Sequence, residues 1–294
     1  MQETGLLLKG VGGFYTVLTQ NGEEVTCQAR GHFRHEGLSP VCGDHVQFER
    51  QQEGHAALVG ILPRRNLLLR PQVANIDQIV IVLSASAPKP DLLLCDKLLL
   101  QAAPLSIEPL IVINKCDEAE QAAVEEITAE YAPHYRTLTL SAHSGAGVEL
   151  LSDALAGQVS CFAGQSAVGK SSLLNALLPA LHLPVGGLAR RTDRGRHTTR
   201  HAELWPYRGG AVLDTPGFSL LEVSALDQDA LNRAYREFGD APDRCRFAAC
   251  SHRTEPDCAV KLLLREGKLS PGRYARYKEL AEQFEQMRKH LYDK

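Results

Sequence analysis

Gly164-Gln165-Ser166-Ala167-Val168-Gly169-Lys170-Ser171 is a complete GxxxxGKS phosphate-binding loop. Val159 to Ala163 before it reads as a short buried strand, and Leu173, Leu174, Leu177 and Leu178 after it fall at helical spacing. Strand, loop and helix therefore come in the order the motif requires. Glycines at both ends let backbone N–H groups turn inward around phosphates, and the helix N-terminus adds a positive dipole. In that setting Lys170 is expected to reach the β- and γ-phosphates and Ser171 to ligate Mg²⁺, with Ser172 also among the nucleotide-binding residues.

A guanine reader, Asn114-Lys115-Cys116-Asp117, stands before that loop instead of after it. It closes the apolar run Leu110 to Ile113, at the carboxyl end of a strand, where α/β sheets bind ligands. The Asp117 carboxylate can accept from the ring N–H and exocyclic amine of guanine, a pattern adenine does not offer. Ser141-Ala142 follows the strand-like Thr137 to Leu140 and matches a short SA motif that supports the base through a backbone N–H. Asp214-Thr215-Pro216-Gly217, after Ala211 to Leu213, is a DxxG element whose aspartate holds magnesium through water and whose glycine N–H senses the γ-phosphate. All parts of a GTP site are present, in a rotated order.

Between the phosphate loop and DxxG, Leu188 to Arg200 carries five arginines and Gly195-Arg196-His197-Thr198-Thr199. A first switch belongs there, ordered by a threonine on magnesium; Thr199 is the choice, with Thr198 open. Phe218 follows Gly217 where many GTPases carry a water-orienting glutamine. His197 can take that part, since imidazole accepts a hydrogen bond or a proton near neutral pH; a structural or RNA-contacting histidine is the alternative.

Cys245, Cys250, His252 and Cys258 form CxxxxCxHxxxxxC. Three thiolates and one imidazole suit a closed tetrahedral zinc site, hence one structural ion. The remaining cysteines, Cys27, Cys42, Cys95, Cys116 and Cys161, are scattered singly and read as small buried residues.

The order NKxD, SA, phosphate loop, GRHTT, DTPG, then Cys-Arg-Phe, Cys-Ser-His and Glu-Pro-Asp-Cys-Ala-Val, resembles the RsgA family of small ribosomal subunit biogenesis GTPases, also called YjeQ or EngC. The likeness runs along essentially the whole chain. It implies a late-acting assembly factor on the 30S subunit, in contact with its 16S rRNA, whose GTP hydrolysis the subunit stimulates. It also implies an N-terminal OB-fold, a circularly permuted GTPase domain and a zinc domain ending in helices. Asp257 stands where the family often shows glycine, and it is not a ligand.

The chain's organisation agrees. Short alternating runs at Phe14 to Leu18, Val25 to Ala29, His45 to Phe48 and Ala57 to Leu62, with Asn21-Gly22 as a hairpin turn, predict a small β-barrel over residues 1–70. Strands and helices then alternate, with helices over Asp91 to Ala103, Glu118 to Tyr131 and Val148 to Leu155, predicting an α/β domain with a mostly parallel sheet over 71–223. Residues 224–294 are expected to form a helical zinc-binding domain, which the second switch runs straight into and could move as a lever. A net charge of −3 leaves nucleic-acid contact to local patches: the arginine-rich switch, and the tail from Arg244, where twelve Lys and Arg face seven acids. No apolar run approaches membrane-spanning length and no targeting segment is evident, so a cytoplasmic monomer without membrane contact is expected. Two other readings are an RNA-binding module that uses GTP only for occupancy, and a metal-delivery GTPase with the cysteines as transfer site.

Overall fold

Period-two alternation in the first sixty residues closes a barrel. In the computed structural model, which describes residues 2–29, 39–51, 56–69, 71–183, 202–214 and 227–292, strands β1 (Gln2–Val11), β2 (Phe14–Thr19), β3 (Glu24–Ala29), β4 (His45–Arg50) and β5 (Ala56–Ile61) pair in the order β1-β2-β3-β5-β4. β1 returns to pair with β4, so no edge is left open. Val17, Cys27, Val46, Phe48 and Leu58 point inward and are buried. A short hairpin, β6 (Leu67–Leu69) with β7 (Gln72–Ala74), follows. Buried Asn66 and Asn75 fasten it, exchanging two hydrogen bonds with Ile76 and reaching Gly43 O at 2.8 Å.

The second layer is a six-stranded sheet in the order β10-β9-β8-β11-β13-β12, from β8 (Gln78–Ser84), β9 (Glu108–Asn114), β10 (Arg136–Thr139), β11 (Val159–Ala163), β12 (Trp205–Tyr207) and β13 (Gly210–Asp214). Only β12 is antiparallel to its neighbour. Continuous apolar strands are what a sheet covered on both faces needs. Successive residues feed opposite cores: Ile79, Ile81, Ile111, Ile113 and Leu213 join the core that runs on into the barrel, while Val80, Val82, Leu110, Val112 and Val212 join the other. Helices α1 (Leu92–Ala102), α2 (Gln121–Tyr131), α3 (Val148–Leu155) and α4 (Lys170–Leu177) connect the strands. Asp91 caps α1 by accepting from Leu94 N–H at 2.9 Å.

A C-terminal helical part holds α5 (Gln228–Ala234), α6 (Ala259–Arg265) and the 22-residue α7 (Pro271–Tyr292) around a third core. The barrel meets the sheet through Leu204 N–H to Leu8 O at 2.9 Å, Cys42 Sγ to Ala202 O at 2.7 Å and the Lys9–Glu203 pair at 2.8 Å. All eight cysteines are free; Cys27, Cys42, Cys95 and Cys161 are buried as expected, and Cys116 is half-buried. No helix among the described residues is long and apolar enough to cross a membrane.

Candidate functional site: a nucleotide cradle and a metal cluster

The carboxyl ends of β8, β9, β11 and β13 lie side by side, so topology alone brings the rotated motifs to one edge. The phosphate loop leaves β11 between β8 and β13. A Cβ on Gly164, at φ +134°, would stand 2.3 Å from Val82 O; one on Gly169, at φ +102°, would stand 2.2 Å from Asn114 Nδ2. Both glycines are therefore fixed by backbone conformation and by contact. Ala167 also takes a left-handed conformation, at φ +65°, and does so with a Cβ. Ser166 is exposed at the loop tip, and Gln165 and Val168 flank it.

Lys170 begins α4 and folds back over the loop, donating from Nζ to Gly164 O and Gln165 O at 2.8 Å each. Burial lowers its pKa, which the Asp214 carboxylate opposes. Ser171 and Ser172 follow on the first turn, and Asp214 ends β13 beside Phe162 of β11. Ser171 and Asp214 are thus oxygen donors at the same edge, a set that fits Mg²⁺.

Asn114 joins the base loop to the phosphate loop. Its side chain is buried, donating from Nδ2 to Val168 O at 2.8 Å and accepting from Ala142 N–H at 3.0 Å. The Ser141 hydroxyl accepts from the N–H groups of His143 and Ser144, closing the turn that carries Ala142. Cys116 donates to Ile113 O at 3.2 Å, and Asp117 is exposed beyond it, open to a ligand. Lys115, at φ +64°, donates from Nζ to Ala87 O at 2.5 Å, and Ser86 donates to Glu118 at 3.0 Å. Ala87 and Ser86 belong to the segment between β8 and α1, in which no motif of the sequence marks a contact with the base loop. His197, Thr198, Thr199 and Gly217 lie outside the described residues.

The four predicted metal ligands converge. One ligand atom each from Cys245, Cys250, His252 and Cys258 lies within 4.8 Å of the others. Cys245 Sγ and Cys258 Sγ are 3.9 Å apart, and His252 Nδ1 is 3.5 and 3.4 Å from them. A tetrahedral zinc with ordinary bond lengths needs edges of about 3.8 Å between sulfurs and about 3.6 Å from sulfur to nitrogen. The spacing fits. Burial pushes the Cys250 thiol up to about 12, raises Cys258 and lowers His252, so a cation must supply the charge that draws off the thiol protons. The Phe238 ring meets the His252 ring edge-on at 5.9 Å, and Tyr274 donates to His252 O at 2.7 Å, holding the ligand from behind.

The tail arginines behave differently from the expected solvent-facing patch. Arg273 and Arg276 turn inward onto the buried Asp96 of α1, Arg273 also pairs with Glu237, and Arg253 is tied to Glu285 at 2.8 Å. The signal for this was Asp96 itself, a lone acid inside Leu-Leu-Leu-Cys-Asp-Lys-Leu-Leu-Leu.

Two family models match: RsgA GTPase over residues 61–224 and RsgA N-terminal domain over residues 4–58. The small ribosomal subunit biogenesis GTPase RsgA of Caldanaerobacter subterraneus subsp. tengcongensis is 40% identical over 292 residues, covering 98% of each chain. That of Moorella thermoacetica is 42% identical over 276 residues, 93% of this chain and 94% of the other. YjeQ from Thermotoga maritima superposes with a TM-score of 0.86 at 34% identity over 97% of this chain and 99% of that one. YloQ, described as a circularly permuted GTPase, gives 0.82 at 32% identity over 97% and 96%. With both of its parts matched and its motifs gathered at one sheet edge in permuted order, the chain belongs to the RsgA family of GTPases.

Proposed function

We propose that this protein hydrolyses GTP in the late assembly of the 30S ribosomal subunit, contacts its 16S rRNA, and is stimulated by the subunit. The bridge from Asn114 to both Val168 O and Ala142 N–H carries the nucleotide half, because it makes base reader and phosphate loop one rigid cradle. The ribosomal half rests on relatives named for small-subunit biogenesis that match nearly end to end.

In this reading Asp117 accepts from the guanine edge and Ala142 supports the base. The N–H groups of residues 164–170 surround the phosphates. Lys170 moves from the two loop carbonyls it now holds to the β- and γ-phosphate oxygens. Ser171, Asp214 and Thr199 would hold Mg²⁺, which when bound would supply charge neutralisation at the phosphates. Gly217 N–H meets the γ-phosphate. Since Phe218 cannot accept a hydrogen bond, His197 takes one from the attacking water. The cysteine cluster holds a structural zinc: Cys250, His252 and Cys258 are buried, which opposes the exchange a delivery site needs. The protein acts as a cytoplasmic monomer, divided near residues 70 and 223.

Steady-state GTP hydrolysis by the protein alone, with 30S subunits and with 50S subunits, with Lys170→Ala as blank, tests the proposal. Stimulation by 30S alone is expected. Equal feeble rates in all three would sink the ribosomal half and leave nucleotide occupancy.

A further inference from the structure

Helix α1 belongs to two bodies at once. Cys95, Leu98, Leu99 and Ala102 pack into the core under the sheet, whereas Leu100, with Leu93 beside it, packs into the core of the C-terminal part. Between those two leucines on the same face sits Asp96, whose side chain has no solvent exposure and whose cationic partners both come from α7. Arg273 pairs with Oδ1, and Arg276 Nε donates to Oδ2 at 2.6 Å. From its own side, among the described residues, Asp96 receives the Tyr131 hydroxyl, at 2.7 Å. Arg276 also reaches Glu130 at 3.0 Å, and the Arg273 guanidinium lies over the Tyr235 ring at 4.5 Å. Farther along α7, Tyr277 donates to Ser251 O at 2.9 Å, next to the metal ligand His252.

At its other end α1 is preceded by a segment that touches the base loop. Asp91, which caps the helix, is preceded by the segment 85–90, and that segment is hydrogen-bonded to three residues around the guanine reader. Ala85 N–H donates to Asn114 O at 2.8 Å, Ala87 O accepts from Lys115, and Ser86 donates to Glu118. A helix is stiff over five residues, so what fixes Asp96 fixes the N-terminus of α1, from which the short segment 85–90 carries the Ala87 carbonyl that holds Lys115.

We propose that Asp96 is a positioning residue for the guanine end of the nucleotide site, acting through α1 and segment 85–90, with its own place set by Arg273 and Arg276 of the C-terminal part. The inference rests on the base binding at Asn114 to Asp117. It makes the C-terminal part a component of the base site and not an appendage.

Asp96→Asn and Arg276→Gln, made in the full-length metal-loaded protein, test it against GDP, a non-hydrolysable GTP analogue and tripolyphosphate. Arg236→Ala serves as control, since it removes the exposed Arg236–Glu108 pair at 2.8 Å and a contact over the Tyr135 ring at 5.2 Å across the same junction while leaving both cations on Asp96. Release of the anchor is expected to weaken GDP and the GTP analogue alike, by about 5- to 20-fold, the lower part of the ordinary range of intersite coupling, while tripolyphosphate affinity and kcat at saturation stay within about twofold. Arg276→Lys, which keeps the charge, should recover part of the loss. Arg276→Gln decides the matter if Asp96→Asn does not fold. GDP affinity unchanged in folded Arg276→Gln, or tripolyphosphate weakened as much as GDP, overturns the proposal. Parent protein whose GDP affinity is untouched by Asp117→Ala would instead overturn the placement of the base.

Discussion

Replacing Asn114 by alanine removes a side chain that ties three loops together, and the loss can be worked out from its two partners. Asn114 is 1% exposed, so neither Val168 O, now 2.8 Å from Nδ2, nor Ala142 N–H, 3.0 Å from Oδ1, can turn to water without a rearrangement. Each buried group left unpaired costs about 1–3 kcal/mol, so the pair should cost about 4 kcal/mol in the nucleotide-free protein. Trp205, the single tryptophan, lies on β12 of the same sheet and reports its unfolding by fluorescence. With a urea slope of about 2–3 kcal/mol per molar, the midpoint should fall by about 1.3–2 M. Asn114→Asp sharpens the test. It keeps an acceptor for Ala142 N–H, but sets a carboxylate oxygen against Val168 O and buries a charge, so it should destabilise at least as much as alanine. A midpoint shift below about 0.3 M for alanine, or an aspartate variant close to the parent, would refute the view that Asn114 is the bridge.

Three further outcomes follow from the geometry. Ala167 stores left-handed strain of about 1–2 kcal/mol, partly offset in the unfolded chain by glycine's greater freedom, so Ala167→Gly should stabilise by roughly 0.5–1 kcal/mol; an equal or lower unfolding midpoint contradicts this. Metal analysis of the purified protein should find one zinc per chain, and His252→Ala should lose it together with the heat stability of α5 to α7, read by hydrogen exchange; retained metal would count against the cluster. Burial would raise the Glu255 carboxyl, but hydrogen bonds from Ser251 and from the N–H groups of Ser251 and Arg253 outweigh it and hold the group at about 2, against an ordinary 4.5. Because the folded value is the lower one, the stabilisation is complete above pH 4.5 and is lost as pH falls through 2. The stability gap between parent and Glu255→Gln should therefore be constant at neutral pH and close in acid; a gap that widens in acid reverses the sign.

What could be read from the sequence was what lies close along the chain. The phosphate loop, NKxD and the cysteine run are each contiguous, and each requires residue types that few other structures need. Strands with a strong apolar run, such as Leu110 to Ile113, were equally visible. β1 was not read as a strand, and β12 is three residues with a proline, too short for periodicity to register. The junction was hidden for a different reason. Asp96 and Arg276 are 180 residues apart, and an arginine on a charged helix looks the same whether it faces water or a buried carboxylate. Counting Arg273 and Arg276 toward an RNA-facing patch followed from composition, and burial reversed it.

The same junction limits how the C-terminal part can answer the nucleotide. Its chain arrives from Asp214, at the phosphate end, so a γ-phosphate-dependent shift of the second switch could act on it as a lever. Its core, however, is fastened to α1 at the base end. Rotating it off α1 would strand Asp96 without a cation, a cost of about 3–5 kcal/mol for a buried pair that loses one partner. Coupling between two sites in one protein is commonly about 1–3 kcal/mol, so the γ-phosphate alone falls short and the rest must come from a large binding surface. Exchange of GDP for a non-hydrolysable GTP analogue should then leave hydrogen-exchange protection across Arg273 to Tyr277 unchanged in the free protein, and should alter it only when the 30S subunit is also bound. Loss of protection there in the free protein would show that the clamp opens with nucleotide alone, and that α1 does not restrain the C-terminal part.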